Sequence, residues 1–350
     1  MAANAPKPPA HPMKTPFRAL LALAFCLPVS VVHAAEITPP ADAATPARGR
    51  GARPAVPPGA DDYVLGPDSQ VHPGVPQGTW DKSVWDKSEI YPKTIRDVWV
   101  YVPAQYDPRQ PACLMVFQDG PRQFAIRERT PEDSRARRTA EYCASTVLDN
   151  LIARKELPVI IAVFVNPGSF AIKPNGNPDF ANRSVEYDTV SDTYSQFLAR
   201  EILPPIERKY NIRKDAAGRA IGGISSGAIC AFTVAWNHPD WFSKVLSDVG
   251  SFTNIRGGQV YPQLVREAAP KPIRVHLQDG TNDQRRPETP ERDWYLQNKL
   301  MYEALRDKGY DVQYVLGHGI HSSKHGASIF PDSMRWLWRD EVPGAKPAGP

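Results

Sequence analysis

The residues best suited to chemistry begin with a serine between glycines, Gly223-Ile224-Ser225-Ser226-Gly227, a G-x-S-x-G pattern. A short apolar run, Arg219-Ala220-Ile221, precedes it, and a helix-like run from Ala228 to Trp236 follows. That context describes a nucleophile elbow, a tight strand-to-helix turn that exposes a serine hydroxyl at the top of a sheet. Gly223 and Gly227 suit such a turn because it is strained and neighbouring backbone must pack closely against it. The bland alternative is an ordinary Gly/Ser surface turn. A serine hydroxyl is a poor nucleophile at neutral pH, so it needs a base within hydrogen-bond reach and an acid to orient that base. In this arrangement the chain order is Ser, then Asp or Glu, then His.

The remaining sequence offers both partners in that order. An apolar strand pattern, Ile273 to Gln278, runs into Asp279-Gly280-Thr281-Asn282-Asp283. Asp279 before Gly suits a turn residue bonding its own backbone, whereas Asp283 lies deeper in the loop and can curl back, so it is favoured. Asp248 is a more distant third candidate. For the base, His318-Gly319-Ile320-His321-Ser322-Ser323-Lys324-His325 follows the last strand pattern. His321 lies mid-loop and is preferred, with His325 in the first turn of the closing helix. His238 and His276 fall in helix-end and strand contexts that suit structural roles. Three histidines so close together also raise a zinc site, but no carboxylate or thiolate stands at a recognisable ligand spacing, so neither metal nor cofactor is expected. Ser226, as the residue after the nucleophile at a helix start, can present its backbone N–H to an oxyanion. A second donor would come from Gln118-Asp119-Gly120-Pro121-Arg122; Pro121 has no N–H, which leaves Gly120 or Arg122.

The elements that must position these groups alternate along the chain. Trp80-Asp81-Lys82-Ser83 recurs as Trp85-Asp86-Lys87-Ser88, read as an edge strand or turn pair. Strands are expected at Ile95–Val102, Ala112–Phe117, Pro158–Val165, the elbow strand, Lys244–Leu246, Pro272–Gln278 and Val312–Leu316. Helices are expected at Ala140–Arg154, Thr189–Tyr210 (kinked or divided by Pro204-Pro205), Ser226 onward, Trp294–Lys308 and Ala327–Arg339. The alternation implies an α/β fold, a mostly parallel sheet with helices on both faces and reactive residues at the carboxyl ends of strands.

Composition bounds the rest. Of the 350 residues, 1–35 read as a secretory signal: Met13 to Arg18 is basic, Ala19 to Val32 is apolar, and Val32-His33-Ala34 offers a cleavage site. The apolar stretch is too short to span a membrane, and Met13 could be the true start. Residues 36–60, rich in Ala and Pro, read as a disordered linker, 61–341 as the folded domain, and 342–350 as a disordered tail. An exported protein, periplasmic or secreted, without stable membrane insertion after signal cleavage, is therefore expected. Cys113, Cys143 and Cys230 permit one disulfide at most; Cys113 and Cys230 lie in apolar patterns that suit burial. The net charge of +4 is small and no basic run carries interleaved aromatics, which argues against nucleic acid.

Several segments together resemble the putative esterase family of α/β-hydrolases, with its enterochelin-esterase-like and feruloyl carbohydrate-esterase-like members. They are Met115-Val116-Phe117-Gln118-Asp119-Gly120, Gly222 to Gly227, Gly280-Thr281-Asn282-Asp283, and Gly319-Ile320-His321 with Trp336-Leu337-Trp338. The similarity covers Tyr63 to Glu341. It implies an α/β-hydrolase fold, Ser225 as nucleophile, Asp283 as acid and His321 as base. Asn182 to Asp188 is also similar to a family segment near the pocket, which with Asp119 makes Arg183, Glu186 and Tyr187 expected substrate contacts; the alternative is a solvated loop with an ordinary Arg/Glu pair. Two departures stand out: Ile320 where members commonly carry a second Gly before the histidine, and Pro121 where many present an N–H. The implied function is a serine esterase working through an acyl-enzyme on a small-molecule or carbohydrate-linked ester, feruloyl or acetyl. A siderophore trilactone esterase or an acyltransferase on the same fold is the alternative.

Overall fold

The computed structural model of the chain describes residues 57–124, 142–171, 179–342 and 344. The signal, linker residues 36–56, most of the tail, and the first residues of the helix expected from Ala140 lie outside the described residues. Eight strands form one sheet: β1 Thr79–Trp85, β2 Arg96–Val102, β3 Cys113–Gln118, β4 Ile160–Val165, β5 Arg219–Ile224, β6 Lys244–Asp248, β7 Arg274–Gly280 and β8 Asp311–Gly317. Their spatial order is β1-β2-β4-β3-β5-β6-β7-β8. β2 runs antiparallel to both β1 and β4, and the other pairs are parallel. Every side chain of β3, β4 and β5 is buried, as continuous apolar runs covered on both faces require. β1 is a largely exposed edge strand, one of the two readings of the Trp-Asp-Lys-Ser repeat.

The chain order reverses between β3 and β5, since β4 lies on one side of β3 and β5 on the other. A crevice opens at the carboxyl ends of strands at such a switch point. The residues after β3 (Asp119, Gly120) and after β5 (Ser225) are therefore neighbours by topology. Helices α1 Pro121–Phe124, α2 Ala144–Ala153, α3 Arg183–Asp188, α4 Thr193–Phe197, α5 Leu203–Lys209, α6 Ser226–Asn237, α7 Tyr261–Glu267, α8 Trp294–Asp307 and α9 Lys324–Trp338 cover the sheet. One apolar cluster packs α4 to α8 on one face, and a second packs α2 and α9 on the other.

Three local expectations change. The helix expected over Thr189–Tyr210 is α4, a π-helical turn at Leu198–Ile202, and then α5. Pro204 and Pro205 occupy the start of α5 and cannot donate to the carbonyls four residues back. The preceding turn widens so that Leu203 N–H bonds to Leu198 O, five residues back. The widened turn also carries Glu201, whose carboxylate accepts Trp85 Nε1–H and the N–H groups of Glu89 and Ile90 at 2.9–3.0 Å. Asn182 to Asp188, for which a solvated loop is the alternative reading, is mostly helical as α3. Finally, the folded body reaches further towards the N-terminus than residue 61: Ala60 N–H bonds to Pro57 O and Ala60 is buried.

α3 is tied to β2 by a buried ion pair. Arg96 donates to both oxygens of Glu186, at 2.6 and 2.9 Å, and neither side chain is exposed. Gly168 N–H and Asn182 Nδ2–H also donate to the Glu186 carboxylate. Removing one partner from such a pair strands the other charge in the interior. Arg96→Ala is expected to destabilise the domain by about 3–5 kcal/mol, read as a lowered denaturant midpoint at unchanged slope.

Candidate active site

Ser225 stands between β5 and α6 with φ 58° and ψ −121°, a conformation that costs a non-glycine residue of order 1–3 kcal/mol. Backbone hydrogen bonds hold it there: Ser225 N–H to Asp248 O at 2.9 Å, and Ser251 N–H and Ala228 N–H to Ser225 O at 3.1 and 3.0 Å. A Cβ at Gly223 would overlap the backbone of Gly227, so strand and helix approach closer than any other residue allows. Ser226 opens α6, in the first turn where N–H groups have no intrahelical acceptor. Gly120 has φ +70°, and a Cβ there would overlap the Asn166 side chain. Pro121 begins α1 directly after it.

His321 brings the distant segments together. Its Nε2 lies 2.8 Å from Ser225 Oγ and its Nδ1 lies 2.7 Å from Asp283 Oδ1. The two loops behind this line brace each other: Thr281 N–H bonds to Gly317 O, Asn282 N–H to Gly319 O, and Asn282 Nδ2 to His318 O. The N-terminal segment secures the histidine loop from the other side. Tyr63 is stacked between His318 and His325, with ring centroids 5.0 and 4.3 Å away. Asp61 accepts Ser322 Oγ–H at 2.6 Å and pairs with Lys324. The three clustered histidines thus diverge in their contacts, two gripping Tyr63 and one facing Ser225. His276 is buried, and burial, with His325 nearby, pushes it down to about 4; His238 pairs with Asp192 and stacks on Trp241. Both fit the structural roles read from sequence.

Asp283 is the acid that reaches the imidazole, and Asp279 stands behind it. Both are fully buried. Burial pushes Asp283 up to about 7. Burial and the neighbouring Asp283 push Asp279 well above the carboxylate range. Asp248 lies at the end of β6, where burial raises it to about 7 and Tyr142 donates to it at 2.5 Å, away from the imidazole line.

The expected substrate contacts divide. Arg183 forms a two-pronged pair with Asp119 at 2.6 and 2.7 Å and donates to Ile224 O, beside the elbow. Its side chain remains about one third exposed, at 32%. Glu186 and Tyr187 do not face a substrate. Glu186 is consumed by Arg96, and Tyr187 is buried with its hydroxyl bonded to Asp119 N–H and Val165 O. All three residues share one face of α3; Glu186 and Tyr187 are buried on it, and Arg183, at the start of the helix, keeps part of its side chain exposed. The Arg/Glu pair considered for this segment is also replaced, because Arg183 pairs with Asp119 and Glu186 with Arg96. Cys113 and Cys230 are free, buried thiols, with burial pushing Cys113 up to about 11.

Two groups at the site have no counterpart in the sequence reading. Ser251 Oγ lies 3.1 Å from Ser225 Oγ and 3.1 Å from Trp294 Nε1. The Trp294 ring stands edge-on to His321, with centroids 5.5 Å apart at 72°. The only signal available for Ser251 was its place just after β6, where the fold collects reactive residues. Nothing local marks Trp294.

A doubly wound sheet with an elbow serine at the switch point and a histidine–aspartate pair after the last two strands defines an α/β-hydrolase. The family described as "Putative esterase" matches residues 91–325. The chain belongs to that family and is an esterase, a hydrolase of carboxylic esters. Among curated relatives, the uncharacterized protein YbbA of Bacillus subtilis is 19% identical over 198 residues, 55% of this chain and 78% of that one. The fold is shared with the ferulic acid esterase of Anaeromyces mucronatus, at TM-score 0.56 and 18% identity over 79% of this chain and 98% of that one. It is shared also with the ferric enterobactin esterase of Salmonella typhimurium, at TM-score 0.57 and 18% identity over 76% and 60% respectively. The chain therefore spans under two thirds of the enterobactin enzyme's length.

The Gly120 turn is a sensitive point of this architecture. Gly120→Ala should lower the melting temperature and reduce ester hydrolysis at least tenfold, because the loop after β3 must move away from Asn166. Thermal melts and hydrolysis of p-nitrophenyl acetate on the same preparation check both effects.

Proposed function

We propose that the chain is an exported serine esterase that works through a Ser225–His321–Asp283 triad and an acyl-enzyme. The observation that carries this reading is the continuous hydrogen-bonded line from Ser225 Oγ through His321 to buried Asp283, at 2.8 and 2.7 Å. Ser225 attacks the ester carbonyl while His321 Nε2 takes its proton. The same proton passes to the leaving alcohol as the tetrahedral intermediate collapses to the acyl-enzyme. Water then repeats the sequence, with His321 as base, and releases the acid and free Ser225. Asp283 fixes the imidazole tautomer and stabilises the imidazolium. The N–H groups of Ser226 and Gly120 hold the oxyanion. Arg183, balanced by Asp119, borders the substrate.

The substrate is read as a carbohydrate-linked ester, feruloyl or acetyl. The likeness that spans 98% of a ferulic acid esterase supports this over a siderophore trilactone, since the match to an enterobactin esterase leaves two fifths of that protein uncovered. Comparable TM-scores keep the trilactone as the second reading. Export is supported by the tripartite pattern of residues 1–35, and N-terminal sequencing of the protein recovered outside the cytoplasm tests it.

Hydrolysis of p-nitrophenyl esters, methyl ferulate, acetylated xylan and a catecholate trilactone by wild type and Ser225→Ala tests the activity. Ser225→Ala should lose about four to six orders of magnitude in kcat, and Asp283→Asn about four. Near-normal hydrolysis by Ser225→Ala rejects the mechanism. Because burial raises Asp283 to about 7 and the carboxylate is the working form, kcat/KM should fall as pH drops through that value. A flat profile from pH 8 down to 5 contradicts this assignment.

A further inference from the structure

Ser251 and Trp294 complete a chain of hydrogen bonds whose direction is fixed from both ends. The indole N–H of Trp294 can only donate, so Ser251 Oγ accepts it at 3.1 Å. The Ser251 proton must then be used elsewhere, and Ser225 Oγ lies 3.1 Å away. At the other end, the Asp283 carboxylate accepts from His321 Nδ1, which leaves Nε2 as a lone pair. Ser225 therefore gives its own proton to His321 and must receive one from Ser251. Both ends demand the same orientation.

We propose that Ser251 is a catalytic hydrogen-bond donor to the nucleophile oxygen, and that Trp294 is a positioning residue that sets the Ser251 hydroxyl. This inference rests on Ser225 being the nucleophile. The surroundings hold the pair rigidly. Ser251 is 1% and Trp294 6% exposed. Ser251 N–H is bonded to Ser225 O, and Asn298 Nδ2 joins Gly250 O to Trp294 O at 2.9 Å each. Asp293 caps α8 directly before Trp294 by accepting Leu296 N–H at 2.9 Å.

The donor acts whenever Ser225 Oγ carries negative charge. In acylation the Ser225 proton moves to His321 Nε2 and Oγ bonds to the carbonyl carbon. In deacylation the carbon–Oγ bond breaks, its electron pair returns to Oγ, and His321 gives the proton back. The Ser251 proton is transferred in neither step; it stabilises the oxygen through which charge passes. Loss of this donor should slow both steps and leave ground-state binding little changed.

The test is steady-state and burst kinetics on p-nitrophenyl acetate, with folding checked by thermal melts. Ser251→Ala should lower kcat roughly 10- to 100-fold with KM nearly constant. Trp294→Phe keeps the ring against His321 but removes the N–H; it should cost about 5-fold, and that loss should vanish in the Ser251→Ala background. A wild-type kcat in Ser251→Ala overturns the role of Ser251. Multiplying losses in the double variant overturn the role of Trp294. Should Ser251→Ala not fold, Ser251→Cys, whose S–H is a weaker donor, should show a smaller loss of kcat in the same direction, and a wild-type kcat in it overturns the role of Ser251. Failure of the underlying reading shows separately, as an active Ser225→Ala and a fluorophosphonate label on another residue.

Discussion

Everything at this site depends on a serine held in a backbone conformation that serines avoid. With φ 58° and ψ −121°, Ser225 stores strain that the turn alone could not keep. The surrounding structure over-determines it: Asp248 holds its N–H, Ser251 and Ala228 share its carbonyl, and Gly223 lets the following helix close over the strand. Each of these partners is itself fixed by the parallel sheet, because β5 and β6 end side by side, with Ile224 in register with Asp248. The strain is local, and the rigidity that maintains it belongs to the whole core.

Burial then sets the electrostatics. The carboxylate that orients His321 sits in the interior beside a second carboxyl group, an arrangement in which two charges would repel strongly. Burial raises both groups, and Asp283 raises Asp279 further, so the pair resists carrying two charges behind the imidazole. On the opposite flank Arg183 and Asp119 neutralise each other, so the mouth of the site presents a polar but balanced edge.

Much of this was legible in the amino-acid sequence, for physical reasons. Fully buried parallel strands such as Leu114–Phe117 and Ile160–Val165 announce themselves as unbroken apolar runs. Ser225, Asp283 and His321 follow the Ser, Asp, His order of this fold, but that order alone leaves Asp279 and Asp248 standing beside Asp283. Exposure was harder to read: Glu186 and Tyr187 lie one helical turn from Arg183, yet their partners Arg96 and Val165 are remote in sequence. The π turn depends on a balance between missing proline N–H groups and the grip of Glu201 on the segment after β1, which no local pattern reveals. Ser251 and Trp294 are unremarkable residue types whose meaning comes only from three-dimensional contact.

The stacking of Tyr63 between His318 and His325 joins positions 255 residues apart, counted from Tyr63 to His318. Closing so long a loop is an entropic cost that must be met late in folding. A growing polypeptide therefore carries its elbow serine well before the opposite termini of the domain can meet and seat the imidazole. The contact between Ser225 and His321 thus forms only once the tertiary structure closes.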